Sequence, residues 1–125
     1  MVDTGVSTVL ELIGREVAEH PGAPAVREPG RTVTYAELDR LADTVAGRLS
    51  GEFGIGRGEV VLIAARAGAD FTAAVLGTLR AGAAYLPVDT AYPPERIEQI
   101  LRASKASLMV LADPGNAAAG GPAAR

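Results

Sequence analysis

The sequence predicts an α/β protein built around a parallel sheet, and two observations support that prediction. Three short apolar runs lack polar alternation, at residues 60–65, 84–88 and 108–111. Runs of this kind are typical of strands buried on both faces. Each gap between them holds one helical apolar period, and parallel strands need a crossover of about that length. We therefore predict a β-α-β-α-β unit with right-handed connections.

An amphipathic helix and a short hairpin are predicted to precede this unit. Apolar residues recur at helical spacing from Val6 to Val17, and Pro21 ends the pattern because it denies the helix an amide donor. Pro29 and Gly30 form a pair suited to a tight turn. The residues on either side of the pair, 25–33, are therefore predicted to form a β-hairpin.

A second helix is predicted to begin at Thr34. The Thr34 hydroxyl can accept a hydrogen bond from a free amide of the first helical turn, and Glu37, three residues on, can reach back to the Thr34 amide. This arrangement is a capping box. Apolar residues then follow on one helical face, at Leu38, Leu41, Val45 and Leu49.

Composition limits the chain to one small core and excludes several functions. With 125 residues, of which 48% are hydrophobic and 4% aromatic, the core must consist mainly of Ala, Val, Leu and Ile. The net charge of -3 with scattered arginines argues against nucleic-acid binding. There are no cysteines, no signal-peptide pattern and no apolar run long enough to span a bilayer. We expect a cytoplasmic protein that does not bind membranes.

The apolar patterning ends near residue 112. We predict a partial domain over residues 1–112 and a flexible Ala/Gly/Pro tail over residues 113–125, because the tail has no apolar period. If the domain is incomplete, part of its sheet should lack a covering layer.

The glycine-rich segment 54–58 and Lys105 are weak candidates for a nucleotide site. A dinucleotide-binding loop follows a strand and opens a helix, whereas residues 54–58 precede a predicted strand, which favours a simple turn. Lys105 is the only lysine in the sequence. It lies at the end of a predicted helix, where a cation interacts favourably with the helix dipole, so we predict a solvated cap.

Four further polar residues have structural interpretations. His20 stands beside the helix-ending Pro21, and we identify no serine or carboxylate close in sequence to orient it as a base. Glu95 and Glu98 share a predicted helix without a histidine, which favours solvated side chains over a metal site. Asp89 directly follows the second strand, where α/β proteins bind ligands, although a loop or cap role is equally compatible with this position.

Two motifs resemble those of a known family. Residues 33–38, Val-Thr-Tyr-Ala-Glu-Leu, resemble the first core motif of amino-acid adenylation domains in nonribosomal peptide synthetases. Residues 79–89, Leu-Arg-Ala-Gly-Ala-Ala-Tyr-Leu-Pro-Val-Asp, resemble the second, and residues 92–97 continue the match. The resemblance is closer to amino-acid-activating members than to acyl-CoA synthetases. Departures are Val33 for leucine, Arg80 for lysine and Thr90 for proline.

The resemblance implies the N-terminal subdomain of an adenylate-forming fold. Family enzymes use ATP and Mg²⁺ to form an aminoacyl adenylate and then transfer the acyl group to a phosphopantetheine thiol. Their phosphate loop, ribose-binding aspartate, amino-acid pocket and C-terminal lysine have no counterpart in these 125 residues. We therefore assign no catalytic, cofactor-binding or metal-binding residue, and we expect the chain alone to be inactive and to bind no cofactor.

Three functions remain open at this point. The chain can be the scaffold part of an adenylating ligase, complemented by a C-terminal adenylation segment or a synthetase. It can be a non-catalytic module that binds a phosphopantetheine carrier protein or a synthetase. The third alternative is an independent nucleotide-binding protein, which the missing phosphate loop disfavours.

Overall fold

The computed structural model describes residues 2–112 and 122–124. Within these residues no helix combines the length and hydropathy that a membrane span requires. The elements follow in the order α1 (Val2–Glu19), β1 (Pro24–Glu28), β2 (Arg31–Thr34), α2 (Tyr35–Phe53), β3 (Val60–Ala65), α3 (Ala69–Arg80), β4 (Ala84–Val88), α4 (Pro94–Ser104), β5 (Leu108–Ala112) and β6 (Pro122–Ala124). The predicted α/β class and the β-α-β-α-β unit are confirmed.

The main sheet has the strand order β4-β3-β5-β6. Strands β4 and β5 both pair with β3 in parallel, so β3 is an inner strand. The first crossover moves outward from β3 to β4, and the second returns across β3 to β5. Because both connections join parallel strands and run in opposite directions, right-handed crossovers place their helices on opposite faces of the sheet.

Packing around β3 agrees with this topology. Val61 and Ile63 pack with Ala74 of α3 on one face. On the other face, Leu62 and Ala64 pack with a partly buried group from α4, which comprises Ile97, Ile100 and Leu101. Strand β3 is therefore covered on both faces, and its residues 61–63 are all 0% exposed.

Strand β4 differs from the prediction that the apolar strands are buried on both faces. It lies at the edge of the sheet, and Ala84, Tyr85 and Pro87 are exposed. The Ala84 amide donates to the Glu59 carbonyl at 2.9 Å, so the strand alternation turns the backbone nitrogen of Pro87 away from β3. A proline at this outward position leaves the edge one donor short for pairing with another strand.

The opposite side of the sheet is extended by an element that the sequence did not predict. Residues 122–124 form β6, which pairs antiparallel with β5 and joins Met109 to Ala123 in register. This segment belongs to the predicted flexible tail, so the tail prediction does not describe residues 122–124. Residues 113–121 and 125 lie outside the described residues.

Helices α2 and α3 pack unusually closely, and Gly77 is the point of contact. A Cβ atom placed on Gly77 would lie 2.5 Å from the Val45 Cβ and 2.8 Å from the Ala42 carbonyl oxygen. Both distances are shorter than a carbon atom tolerates, so glycine is required here by space rather than by backbone conformation. Nearer the start of α2, Leu38 and Ala42 pack with Val33 of the hairpin in a second core cluster.

The close approach predicts opposite effects for two glycine-to-alanine substitutions. Gly77→Ala should destabilise the fold by about 1–3 kcal/mol, because the added methyl group forces α2 and α3 apart. Gly47→Ala is the matched control within α2, because Gly47 is exposed and a Cβ atom added there would have no neighbour within 4 Å. It should stabilise the fold by roughly 0.5–1 kcal/mol through higher helix propensity.

Urea unfolding followed by far-ultraviolet circular dichroism measures both changes. Equal shifts of the two midpoints in the same direction would show that α2 and α3 do not meet at Gly77.

Candidate functional site

A crevice opens at the carboxyl edge of the parallel sheet, between the ends of β3 and β4. Its volume is about 230 Å³, and its lining residues are Ala65, Ala67, Phe71, Pro87, Val88 and Asp89. Five of these six are apolar. The crevice forms because β3 and β4 end side by side while α3 begins only at Ala69, which brings Phe71 over the strand ends.

Asp89 is the one ionisable group in this lining, and its carboxylate is partly engaged in the local loop. Its Oδ1 accepts a hydrogen bond from the Ala91 amide at 2.8 Å, and its carbonyl accepts one from the Tyr92 amide at 3.1 Å. These bonds form a turn that leads into α4. The structure confirms the loop role of Asp89 and places the residue in the lining of the crevice, while a ligand-binding role stays a prediction.

The crevice lacks the groups that a magnesium nucleotide requires. No arginine or lysine lines it, so it offers no positive charge to a triphosphate. Across residues 2–112 and 122–124, no group of three or more His, Cys, Asp or Glu side chains is placed to hold a metal ion. The residues that line the crevice therefore do not fit ATP and Mg²⁺.

The glycine-rich segment and Lys105 end helices. Gly54 caps α2 in the left-handed conformation, with φ 65°, and its loop leads into β3. Lys105 caps α4 with φ 59° and is exposed. Neither residue lines the crevice.

His20 requires a correction, because a carboxylate does lie close to it in sequence. Glu16, one helical turn earlier, places its Oε1 at 3.2 Å from the His20 Nδ1. Both side chains are substantially exposed, so the pair is a surface contact at the end of α1. Glu95 and Glu98 are exposed on α4, and Glu98 pairs with Arg102 at 3.5 Å.

The start of α3 is held by the hairpin, through contacts that sequence reasoning missed. The Ala69 amide donates to the Glu28 Oε2 at 2.8 Å, which gives α3 a cap from a residue 41 positions away. Arg31 joins the same group, with its Nη1 at 3.3 Å from Asp70 and 3.8 Å from Glu28. These contacts fix the loop that forms one wall of the crevice.

Thr34 and Glu37 form the predicted capping box. The Glu37 amide donates to the Thr34 Oγ1 at 3.2 Å, and the Thr34 amide donates to the Glu37 Oε1 at 2.9 Å. The bond from the Thr34 amide holds the pKa of Glu37 below its usual value, and the charges of Arg40 and Arg31 act in the same direction. The box fixes the point where the hairpin turns into α2.

The arrangement of these elements corresponds to a known family. Residues 13–124 match the family of AMP-binding enzymes. The chain belongs to that family. Surfactin synthase subunit 3 of Bacillus subtilis (strain 168) is 40% identical over 94 residues, which cover 75% of this chain and 7% of that protein. Bacitracin synthase 1 of Bacillus licheniformis is 35% identical over 116 residues, or 90% of this chain and 2% of the relative.

Solved structures support the same assignment. The AMPPNP-bound form of the nonribosomal peptide synthetase FmoA3 superposes with a TM-score of 0.77 at 34% identity, over 82% of this chain and 11% of that chain. The anthranilate CoA ligase AuaEII, at 24% identity and a TM-score of 0.75, shares the fold over 82% of this chain and 20% of that chain. The resemblance to nonribosomal-type adenylation domains is confirmed, and the chain spans a small part of each relative.

The second family motif spans the end of α3, a turn and β4. Arg80 in this motif donates from its Nη2 to the Asp39 Oδ1 at 2.8 Å and from its Nη1 to the Asp43 Oδ1 at 2.8 Å. The planar guanidinium thus bonds two carboxylates of α2 at once, which gives the departure from lysine a structural reason. Gly82 follows with φ 89° and allows the chain to turn into β4.

The capping box predicts a pH-dependent stability difference between the wild type and Glu37→Gln. Because folding lowers the pKa of Glu37, its charge stabilises the fold above the pKa of an unfolded glutamate, and this contribution is lost as pH falls through the folded value. Glutamine keeps the hydrogen-bonding shape but does not titrate. The stability advantage of the wild type should therefore be present at pH 7 and vanish in acid.

Urea unfolding at a series of pH values measures this difference, and Thr34→Ala serves as the control. Loss of the cap should cost about 1 kcal/mol at neutral pH. If the wild type exceeds Glu37→Gln in free energy of unfolding by the same amount from pH 7 into acid, the Glu37 charge does not stabilise the capping box.

Proposed function

We propose that this chain supplies the scaffold of an amino-acid adenylation domain of the nonribosomal peptide synthetase type. The observation that carries the proposal is the second motif, which occupies the α3–β4 connection and ends at the carboxyl-edge crevice. Identities of 35% and 40% to the two bacterial synthases extend over this region. The motif residues are structural in this chain, because they end α3, form β4 and connect α3 to α2.

In the proposed enzyme, the amino-acid carboxylate attacks the α-phosphate of ATP and displaces pyrophosphate. The carrier thiol then takes the acyl group from the adenylate as a thioester, and AMP leaves. ATP and Mg²⁺ are cofactors of that complete enzyme. This chain would contribute shape rather than reacting groups, since its crevice has no cation to stabilise phosphate charge. Its carboxyl edge would form the base onto which nucleotide-binding segments pack.

The proposal implies two partners and a location. A C-terminal adenylation segment, in the same polypeptide or in a synthetase, would provide the phosphate loop and the lysine. A phosphopantetheine carrier protein would accept the activated amino acid. The amino acid and ATP are cytoplasmic metabolites in this scheme, so we propose a cytoplasmic location.

Amino-acid-dependent exchange of pyrophosphate into ATP tests this function. The chain alone should give no exchange above a no-enzyme control with any common amino acid, because it has no preorganised donors for the triphosphate. Addition of a polypeptide that carries the phosphate loop and lysine should produce exchange with one or a few amino acids.

The two arms of the experiment fail in different ways. Exchange by the chain alone would contradict its assignment as a scaffold. Absence of exchange with every complementing polypeptide would instead favour the non-catalytic interaction module.

A further inference from the structure

A groove lies between strand β2 and helix α2, and it shares no lining residue with the crevice at the sheet edge. Its volume is about 400 Å³. One wall consists of Arg31, Thr32 and Val33 of β2. The other wall is one face of α2, formed by residues at helical spacing: Glu37, Arg40, Leu41 and Thr44.

The backbone of β2 presents an unpaired edge to this groove. The Tyr35 amide donates to the Ala23 carbonyl on the β1 side, whereas the Thr34 amide donates to Glu37 on the α2 side. Backbone direction alternates along a strand, so the Thr32 amide and carbonyl point to the same side as the Thr34 amide. Neither Thr32 group has a hydrogen-bond partner outside the strand among the described residues, and Thr32 is exposed.

The side chains of the α2 wall favour a partner with carboxylates. No carboxylate of the described residues lies within ion-pair distance of the Arg40 guanidinium. Glu37, the one acid in the lining, is already bonded to the Thr34 amide. Leu41 is partly buried and offers an apolar contact beside the charged residues Glu37 and Arg40 of the same wall.

We propose that this groove binds an extended acidic peptide segment, which adds as a third strand beside β2. The added strand would accept a hydrogen bond from the Thr32 amide and donate one to the Thr32 carbonyl, and its carboxylates would face Arg40. An edge strand facing a helix across a groove is a recurrent geometry for peptide recognition by strand addition. The inference does not depend on the proposed adenylation function.

Nuclear magnetic resonance titration of the full chain tests the proposal. The ligand is the peptide acetyl-Thr-Glu-Val-Glu-Thr-amide, and acetyl-Thr-Lys-Val-Lys-Thr-amide is its cationic counterpart. We expect saturable shifts centred on the Thr32 amide with the acidic peptide, and binding about fivefold weaker or absent with the cationic one.

Two variants separate the backbone and charge contributions. Thr32→Pro removes the outward amide, which the hairpin does not use, and should abolish binding while the hairpin persists. Arg40→Glu should weaken binding of the acidic peptide about fivefold or more, through loss of attraction and new repulsion. Arg15→Glu is the matched control, because Arg15 is an exposed arginine on α1 outside the groove lining. This variant should bind the acidic peptide with the affinity of the wild type.

Several outcomes would overturn the proposal. They are the absence of a saturable shift, equal binding of both peptides, and binding that survives Thr32→Pro in a protein whose spectrum shows a folded hairpin. Concentration-dependent shifts of the Thr32 amide without peptide would also overturn it, because they would identify a second copy of the chain as the occupant.

Discussion

Burial of β3 on both faces is the constraint on which the other elements depend. Val61, Leu62 and Ile63 are fully buried, so successive side chains of one strand need separate covering layers. A helix on one face alone would leave the side chains of the other face in water, at a cost of about 1.5–3 kcal/mol for each large side chain. The return of the chain across β3 meets this requirement, because it delivers α3 to one face and α4 to the other.

The layer that contains α2 and α3 fixes the geometry of the carboxyl edge. Gly77 allows the two helices to approach closely, Arg80 joins the end of α3 to the first half of α2, and Glu28 holds the first turn of α3. Together these contacts hold α3 against α2 and the hairpin. Because the first turn of α3 forms one wall of the crevice, this packing shapes the crevice, which is compatible with the proposed scaffold role.

Local patterns in the sequence predicted much of this fold. The capping box at Thr34 and the apolar run of β3 were predictable because each involves residues close in sequence. Gly77 carried no such signal, since a glycine inside a helix indicates only a weak helical position until the partner helix is known. The cap from Glu28 to Ala69 was not predictable because it joins residues 41 positions apart. The direction of the second crossover was not predictable either, because it depends on the order of all strands in the sheet. Site residues were not predictable beyond Asp89, because the crevice is lined mainly by apolar residues whose individual positions carry no chemical motif.

Double burial of β3 organises the fold of this chain. Native-state hydrogen exchange measured residue by residue on the isolated protein tests it most directly. Amides of residues 61–64 should be the slowest to exchange and should open only with global unfolding, while those of α1 and the hairpin should exchange through smaller openings. Exchange at residues 61–64 as fast as in α1 would show that β3 does not organise the fold.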